Sequence, residues 1–133
     1  MDEKELIRLA IEAKTLALAP YSNFRVGAAL LAESGKVYCG GNIESSSYGL
    51  TVCAERVALF KALSEGEREF QAIAVAADTE SFCRPCGACR QVLWDYASTI
   101  DVIMIDGGGA SHKTTLKDLL PEAFDKQFLG GKR

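Results

Sequence analysis

Three cysteines have the residue type and the spacing of a metal site. Cys86 and Cys89 are three residues apart at the predicted start of a helix, so both thiols face the same side and can hold one ion. Cys53, at the start of an earlier predicted helix, can complete a site with three thiolates. Three protein ligands leave the fourth position of zinc open for water, which is typical of catalytic rather than structural sites. These three residues are called the cysteine trio below.

Glu55 and Arg56 closely follow the first cysteine of the trio and extend its chemistry. A carboxylate that lies beside the metal without binding it can take a proton from water and pass it to a leaving group, which is the acid–base part of metal-assisted hydrolysis. Zinc with three thiolates is negatively charged, and the positive ends of two helix dipoles would offset that charge. Arg56 and Arg90 each lie near a cysteine of the trio, and we expect them to donate hydrogen bonds to the sulfurs.

The two remaining cysteines are interpreted as non-ligands. Cys39 falls in a predicted strand and is expected to be a small buried hydrophobic residue. Pro85 favours an extended chain before it, which keeps Cys83 off the helical face, and the iron–sulfur ferredoxin pattern would need a further cysteine. Two alternatives stay open. One is a closed structural site in which Cys83 or Cys39 is the fourth ligand and Glu55 has no role, and the other is a redox pair of Cys86 and Cys89.

Hydrophobic periodicity predicts the elements that position these residues. Their alternation favours a mixed sheet covered by helices, and no linker divides it, so we expect one domain over residues 1–133. The glycines at 107–109 are expected to form a flexible break, and they lack the spacing of a phosphate-binding loop. The predicted elements are a helix over 2–17, a hairpin of strands over 24–33 and 37–43, a helix over 54–63, a strand over 70–77, a helix after Pro85 with Tyr96 on its apolar face, a strand over 102–105 and a short helix within 115–124.

Composition is typical of a packed globular protein and excludes some partners. The 133 residues are 48% hydrophobic and 25% charged, which suits a single hydrophobic core. With a formal net charge of -3, the protein lacks the positive field that nucleic-acid or anionic-membrane binding needs. No apolar run approaches the ~20 residues of a membrane span, and the acidic N-terminus is unlike a secretory signal, so we expect a cytoplasmic protein with reduced thiols. The single histidine, His112, is expected at the surface near a turn.

Two segments resemble the zinc signature of the cytidine deaminases, namely Cys-Ala-Glu-Arg at 53–56 and Pro-Cys-Gly-Ala-Cys-Arg-Gln-Val at 85–92. The segments 19–24, 26–30, 41–44, 48–51 and 120–124 are also similar to family segments, in the same order. The likeness is to the short, homotetrameric type with three zinc-binding cysteines. It implies a three-layer α/β/α sandwich with a mixed five-stranded sheet, one Zn2+ per chain, and a homotetramer. It also implies hydrolytic deamination of cytidine and deoxycytidine to uridine and deoxyuridine, in pyrimidine salvage.

The resemblance further implies a role for each matching residue. Glu55 would carry one proton from water to the cytosine ring and then deliver a second proton to the leaving ammonia. Taken alone, Phe24 could be a hydrophobic residue that leads into a strand, and Asn42 and Glu44 could be ordinary turn residues. The implied assignments are Cys53, Cys86 and Cys89 as zinc ligands, Arg56 as a donor to their sulfurs, Phe24 as a residue that packs on the pyrimidine, Asn42 and Glu44 as partners of the ribose hydroxyls, the backbone around Ala54 as a border of the base, and Tyr48 and Phe124 as residues that close sites at subunit boundaries.

Two other functions stay open at this point. A blasticidin-type deaminase of another cytosine nucleoside shares the cysteine pattern, although Asn42 and Glu44 favour cytidine because they suit a sugar diol. A structural zinc module would keep the cysteines but have no use for Glu55. The C-terminal segment carries more apolar residues than so short a tail can bury on its own domain, so we expect a neighbouring subunit to cover it. These residues are Leu119, Leu120, Phe124 and Phe128.

Overall fold

One mixed sheet organises residues 1–130, the part of the chain that the computed structural model describes. Its five strands are β1 (Val26–Ala32), β2 (Val37–Gly41), β3 (Phe70–Ala77), β4 (Asp101–Ile105) and β5 (Ser111–Thr115). Their order across the sheet is β2-β1-β3-β4-β5. The strands β3 and β4 run parallel, whereas the other neighbouring pairs are antiparallel.

Helices cover both faces of this sheet. They are α1 (Glu3–Ala13), α2 (Ala54–Ser64), α3 (Gly87–Ala97) and the short α4 (Leu116–Leu119). One face packs against α1, and the other packs against α2 and α3, which contact each other. The predicted three-layer α/β/α sandwich with a mixed five-stranded sheet is therefore confirmed. Within residues 1–130, none of the helices combines the length and the apolar character that a bilayer crossing needs.

The central strands are apolar because both of their faces are covered. Every residue of β1 is buried, and β3 is buried over 73–77. On one face, Leu31 belongs to the same hydrophobic cluster as Leu6 of α1. On the other face, Leu30 clusters with Leu59 of α2 and Leu93 of α3. Alternate side chains of β1 therefore hold the helical layers on opposite sides of the sheet.

Gly27 and Gly41 let the first helix and the turn after it lie directly on the sheet. A Cβ atom at Gly27 would lie 2.3 Å from a carbonyl oxygen of α1, and one at Gly41 would lie 2.4 Å from the amide nitrogen of Ala17. This close approach allows the N–H of Leu18 to donate to the carbonyl of Asn42 over 2.8 Å. The loop over 18–25 is thereby held beside residues 42–44, two regions that the sequence predicts to bind substrate.

Most elements predicted from hydrophobic periodicity are present, with corrections at their ends. The strand over 70–77 coincides with β3, and the helix over 54–63 corresponds to α2. The first helix ends at Ala13, and the chain continues as a 3-10 turn (Lys14–Leu16) instead of a helix to residue 17. Tyr96 of α3 is 54% exposed, so its predicted place on the apolar face is wrong. The predicted C-terminal helix is limited to α4.

The chain after β4 differs most from its prediction. Residues 107–109 form a tight turn rather than a flexible break, because a carboxylate oxygen of Asp106 accepts the N–H groups of Gly108 and Ala110, each at 2.9 Å. The turn leads into β5, which periodicity misses because its residues are polar. His112 is exposed in this strand, as expected, and its ring stacks on Phe82 with centroids 5.6 Å apart. The single domain over 1–133 stays a prediction, and its last three residues lie outside the described part of the chain.

Candidate active site

The cysteine trio gathers at the N-termini of two neighbouring helices. Cys53 and Cys86 are the residues that directly precede α2 and α3, and Cys89 lies in the first turn of α3. The three sulfur atoms lie within 4.8 Å of one another, and the Sγ atoms of Cys53 and Cys86 are 3.8 Å apart. Tetrahedral zinc with Zn–S bonds of about 2.3 Å separates its sulfur ligands by about 3.8 Å. The type and spacing of these donors therefore fit zinc.

Local electrostatics favour negative charge on the sulfurs. The first amides of a helix have no partner within the helix, so the starts of α2 and α3 carry partial positive charge toward the trio. Nη2 of Arg56 donates to the sulfur of Cys53 over 3.5 Å. Hydrogen bonds from the Cys89 thiol and from Arg56 lower the pKa of Cys53 to about 5. The pKa of Cys89 is raised, because its thiol donates to Cys53 and is buried.

Glu55 occupies the first turn of α2 and is buried, with 4% of its surface exposed. Burial is the main cause that raises its pKa to about 7, and the negative charge of Cys53 adds to this effect. The main-chain N–H of Glu55 and the nearby Cys89 thiol act in the opposite direction. Glu55 is thus a carboxyl group next to the trio whose proton affinity suits both uptake and release of a proton near neutral pH.

Arg56 and Arg90 differ in what they contact. Arg56 meets the prediction of a donor to a ligand sulfur, and its Nε is buried without a hydrogen-bond partner among the described residues. Arg90 instead donates from Nε to the carbonyl of Pro85 at 2.8 Å and from Nη1 to the carbonyl of Leu119 at 2.9 Å. The prediction that Arg90 donates to a sulfur is therefore wrong, since both of these bonds go to main-chain carbonyls.

The remaining cysteines lie outside the trio. Cys39 is half-buried on β2, and Cys83 is buried in the core between the sheet and the helices α2 and α3. Burial raises the pKa of the Cys83 thiol to about 12, which disfavours the thiolate that a metal would need. The cluster of potential metal ligands found within residues 1–130 contains neither of them. The closed four-cysteine alternative is therefore not supported.

The predicted sugar-binding side chains are fastened to the loop that carries Phe24. Asn42 is buried; its Oδ1 accepts the N–H of Val26 at 2.9 Å, and its Nδ2 donates to the carbonyl of Phe24 at 2.8 Å. Glu44 accepts hydrogen bonds from the amides of Tyr21 and Ser22, at 3.0 and 3.1 Å, and from the hydroxyl of Ser22. Through these bonds both side chains also stabilise the loop over 18–25. That is what the interpretation of Asn42 and Glu44 as ordinary turn residues expects.

A cavity of about 320 Å3 opens beside Glu44. Tyr48 lies in its wall with 76% of its surface exposed, and its ring is 6.0 Å from that of Tyr21. Phe24 is 45% exposed at the end of the same loop, whereas Ala54 is fully buried at the start of α2. The cavity is lined by Tyr21, Ser22, Glu44, Tyr48 and Thr51.

Phe124 lies after α4 and does not line this cavity. Its ring is 55% exposed and stacks on Phe128 with centroids 5.1 Å apart. Its carbonyl accepts a hydrogen bond from Nε2 of Gln91 at 2.8 Å. Neither Gln91 nor Ser22 is assigned a role by the sequence analysis, although both belong to segments that resemble the family. Their contacts depend on loop conformations that residue spacing does not reveal.

A three-layer α/β/α sandwich that presents three sulfurs and a buried carboxylate at two helix N-termini has the architecture of a zinc hydrolase. Residues 1–105 match the family model described as "Cytidine and deoxycytidylate deaminase zinc-binding region". The chain therefore belongs to this deaminase family. Its predicted zinc cofactor is confirmed by this match together with the sulfur cluster, while the role of each residue stays a prediction.

Named relatives and solved structures of this family are similar to the chain over nearly its whole length. A protein named cytidine deaminase from Sporosarcina psychrophila is 50% identical over 130 residues, which cover 97% of this chain and 96% of that one. The crystal structure of cytidine deaminase from Burkholderia pseudomallei superposes with a TM-score of 0.91 at 49% identity, covering 93% of this chain and 100% of that one. A blasticidin-S deaminase from Bacillus cereus is more distant, at 32% identity over 125 residues and 88% of each chain.

Proposed function

We propose that the protein catalyses the hydrolytic deamination of cytidine and deoxycytidine to uridine and deoxyuridine, with release of ammonia. The observation that carries the proposal is the buried Glu55 beside three sulfurs spaced for zinc. Burying an unpaired carboxyl group costs free energy, and such groups are concentrated where they have a chemical task. A structural zinc module would gain nothing from this cost, which favours the catalytic function.

The cysteine trio would hold the zinc, and Arg56 would neutralise part of the charge on the sulfurs. A bound zinc ion supplies Lewis acidity, which makes water acidic enough to act as a nucleophile at neutral pH. The positive ends of α2 and α3 favour the thiolate form of the ligands. The chain thus supplies a rigid site, since the ligands lie on or next to helices that are packed on the sheet.

Glu55 would carry the protons. Its carboxylate takes a proton from the attacking water and delivers it to N3 of the cytosine ring, so that C4 becomes open to attack. It then takes the second proton of that water from the oxygen now bonded to C4 and passes it to the amino group, which leaves as ammonia. Its burial supports this role, because a carboxyl group that is shielded from bulk water exchanges protons with the substrate rather than with solvent.

The remaining predicted site residues would hold the nucleoside. Glu44 and Asn42 would bind the ribose hydroxyls, and Phe24 would pack on the pyrimidine at the end of the loop that both side chains fasten. The backbone at Ala54 would border the base, next to Glu55. Tyr48 and Phe124, which are both largely exposed here, would close sites together with neighbouring subunits.

Assembly as a homotetramer belongs to the same proposal. Several large apolar side chains are more than half exposed on the described chain, and apolar patches of that kind mark interaction surfaces. A role in pyrimidine salvage in the cytoplasm would suit a nucleoside substrate and five free cysteines. The exposed set includes Leu16, Leu18, Tyr48, Leu50, Phe124, Phe128 and Leu129.

A substrate panel tests the proposal. The purified protein is incubated with cytidine, deoxycytidine, deoxycytidylate and blasticidin S, and ammonia release is measured with the Glu55→Gln variant as the blank. We expect turnover of the first two. Turnover of blasticidin S alone would replace the proposed function by the alternative that the sequence left open, and turnover of none would favour the structural zinc module.

A further inference from the structure

We propose that Ser22 is a positioning residue for substrate binding, because its hydroxyl joins the Glu44 carboxylate to the main chain of Phe24. The inference rests on the proposed function, in which Glu44 contacts the sugar and Phe24 contacts the base. Ser22 would act through these two residues and not by touching the reacting atoms. It would therefore set how tightly a nucleoside binds, while the rate of the chemical step would depend on other groups.

The hydroxyl of Ser22 makes two hydrogen bonds, one as a donor and one as an acceptor. It donates to Oε2 of Glu44 and accepts the N–H of Phe24 at 3.0 Å. A serine hydroxyl has one hydrogen to donate. Since that hydrogen is directed at Glu44, Ser22 lines the cavity without a donor left for a ligand. The serine thus serves the carboxylate rather than the substrate.

Three hydrogen-bond donors occupy most of the acceptor positions of the Glu44 carboxylate. The two amides of Tyr21 and Ser22 both donate to Oε1, and the hydroxyl donates to Oε2. A carboxylate offers about four acceptor positions. The position that remains is on Oε2, the oxygen that Ser22 orients, and a sugar hydroxyl that enters the cavity can donate to it. The Ser22 hydroxyl is also the largest influence that keeps the pKa of Glu44 below its usual range.

The backbone between these residues makes the connection stiff. Asn23 adopts a left-handed conformation with φ of 56°, which brings the N–H of Phe24 back to the Ser22 hydroxyl. Asn42 fastens the next part of the segment through the carbonyl of Phe24. Glu44 and Phe24, the predicted sugar-binding and base-binding residues, are therefore connected through the hydroxyl of Ser22.

The test compares Ser22→Ala with wild type on three substrates, namely cytidine, 2'-deoxycytidine and 2',3'-dideoxycytidine. We expect KM for cytidine to rise about tenfold, with kcat within about twofold, as for a weakened hydrogen bond to a charged group. KM for dideoxycytidine should rise less than KM for cytidine, because that substrate lacks the two sugar hydroxyls that could donate to Glu44 and can respond only through Phe24. Ser22→Thr keeps the hydroxyl and should restore most of the affinity for cytidine.

The chain offers a matched control in Ser34, whose hydroxyl donates to Glu67 at 2.7 Å and accepts the N–H of Lys36 two residues on. Ser34→Ala removes the same kind of contact far from the cavity and should leave KM unchanged for all three substrates. An unchanged KM for cytidine in Ser22→Ala, or an equal rise with dideoxycytidine, overturns the inference while the proposed function stands. A wild-type protein that deaminates none of the substrates refutes the proposed function and this inference together.

Discussion

The side-chain amide of Gln91 donates a 2.8 Å hydrogen bond to the main-chain carbonyl of Phe124. Gln91 lies in α3, two residues after Cys89, and its neighbour Arg90 holds the carbonyl of Leu119 at 2.9 Å. The helix that contains Cys89 and begins directly after Cys86 thus also anchors the C-terminal segment. A displacement of that segment is coupled to α3 through two adjacent side chains.

Gln91→Ala should release Phe124 without loss of metal. A hydrogen bond of this type contributes about 0.5–1.5 kcal/mol, so we expect faster hydrogen exchange over 124–128 and a KM for cytidine that rises severalfold, at unchanged zinc content. Gln71→Ala, at an exposed position of β3, is the control. Unchanged exchange and an unchanged KM would show that the bond does not hold Phe124 in a working position.

Glu55→Gln should keep zinc and fold but lose turnover. The ligand sulfurs are untouched, whereas the amide cannot carry protons, so kcat should fall by about two to four powers of ten. Ammonia release and zinc content are measured on the same preparation. Glu65→Gln, at the other end of α2, should behave as wild type. Near-normal turnover by the Glu55→Gln variant would exclude the assigned role of the carboxyl group.

Alanine substitution of each cysteine should divide the five into two groups. Variants of the cysteine trio should lose the metal, because two thiolates hold zinc much less tightly than three. Cys39→Ala and Cys83→Ala should each retain one zinc per chain, as both thiols lie outside the cluster. Metal analysis of the purified variants decides this. Loss of zinc from Cys83→Ala would revive the closed four-cysteine site.

The hydrogen bond between Tyr38 and Glu67 should make stability depend on pH at both extremes. The hydroxyls of Ser34 and Tyr38 hold the pKa of Glu67 below its ordinary value of 4.5, so this contribution is present above that pH and is lost as the pH falls through the folded pKa. The pKa of Tyr38 is raised from 10.0 to about 12, mainly by Glu67, so its contribution is full below pH 10 and is lost toward pH 12. Urea unfolding of wild type and Tyr38→Phe should therefore differ most between about pH 5 and 10.

Tyr96→Phe, at an exposed position of α3, is the control for this series. If the difference between wild type and Tyr38→Phe were the same at pH 3 as at pH 7, the contact would not involve the charged form of Glu67.

Sequence was most informative where one physical signal dominates. The strand β3 is apolar because both of its faces are covered, so its limits follow from residue types alone. The cysteine trio follows from spacing, since helical geometry brings Cys86 and Cys89 to one side, although the meeting with Cys53 depends on how α2 packs beside α3.

The missed features depend on tertiary contacts. The strand β5 has an exposed polar sequence, and its position is set by pairing with β4 rather than by burial. Arg90 is long enough to reach either a sulfur or a carbonyl, and only the position of the segment near Leu119 selects the carbonyl. The hydrogen bond from the N–H of Phe24 to the Ser22 hydroxyl requires the left-handed conformation of Asn23, which residue types do not predict.

The parallel pairing of β3 with β4 has a consequence for the biogenesis of the protein. The two strands are joined by a crossover that contains α3, so Cys86 and Cys89 belong to the later half of the chain. A nascent polypeptide that has emerged from the ribosome only as far as β3 exposes a single thiol of the trio. Three-thiolate coordination therefore becomes possible only after the crossover has been synthesised, and a chain that stops at β3 offers one thiolate of the three.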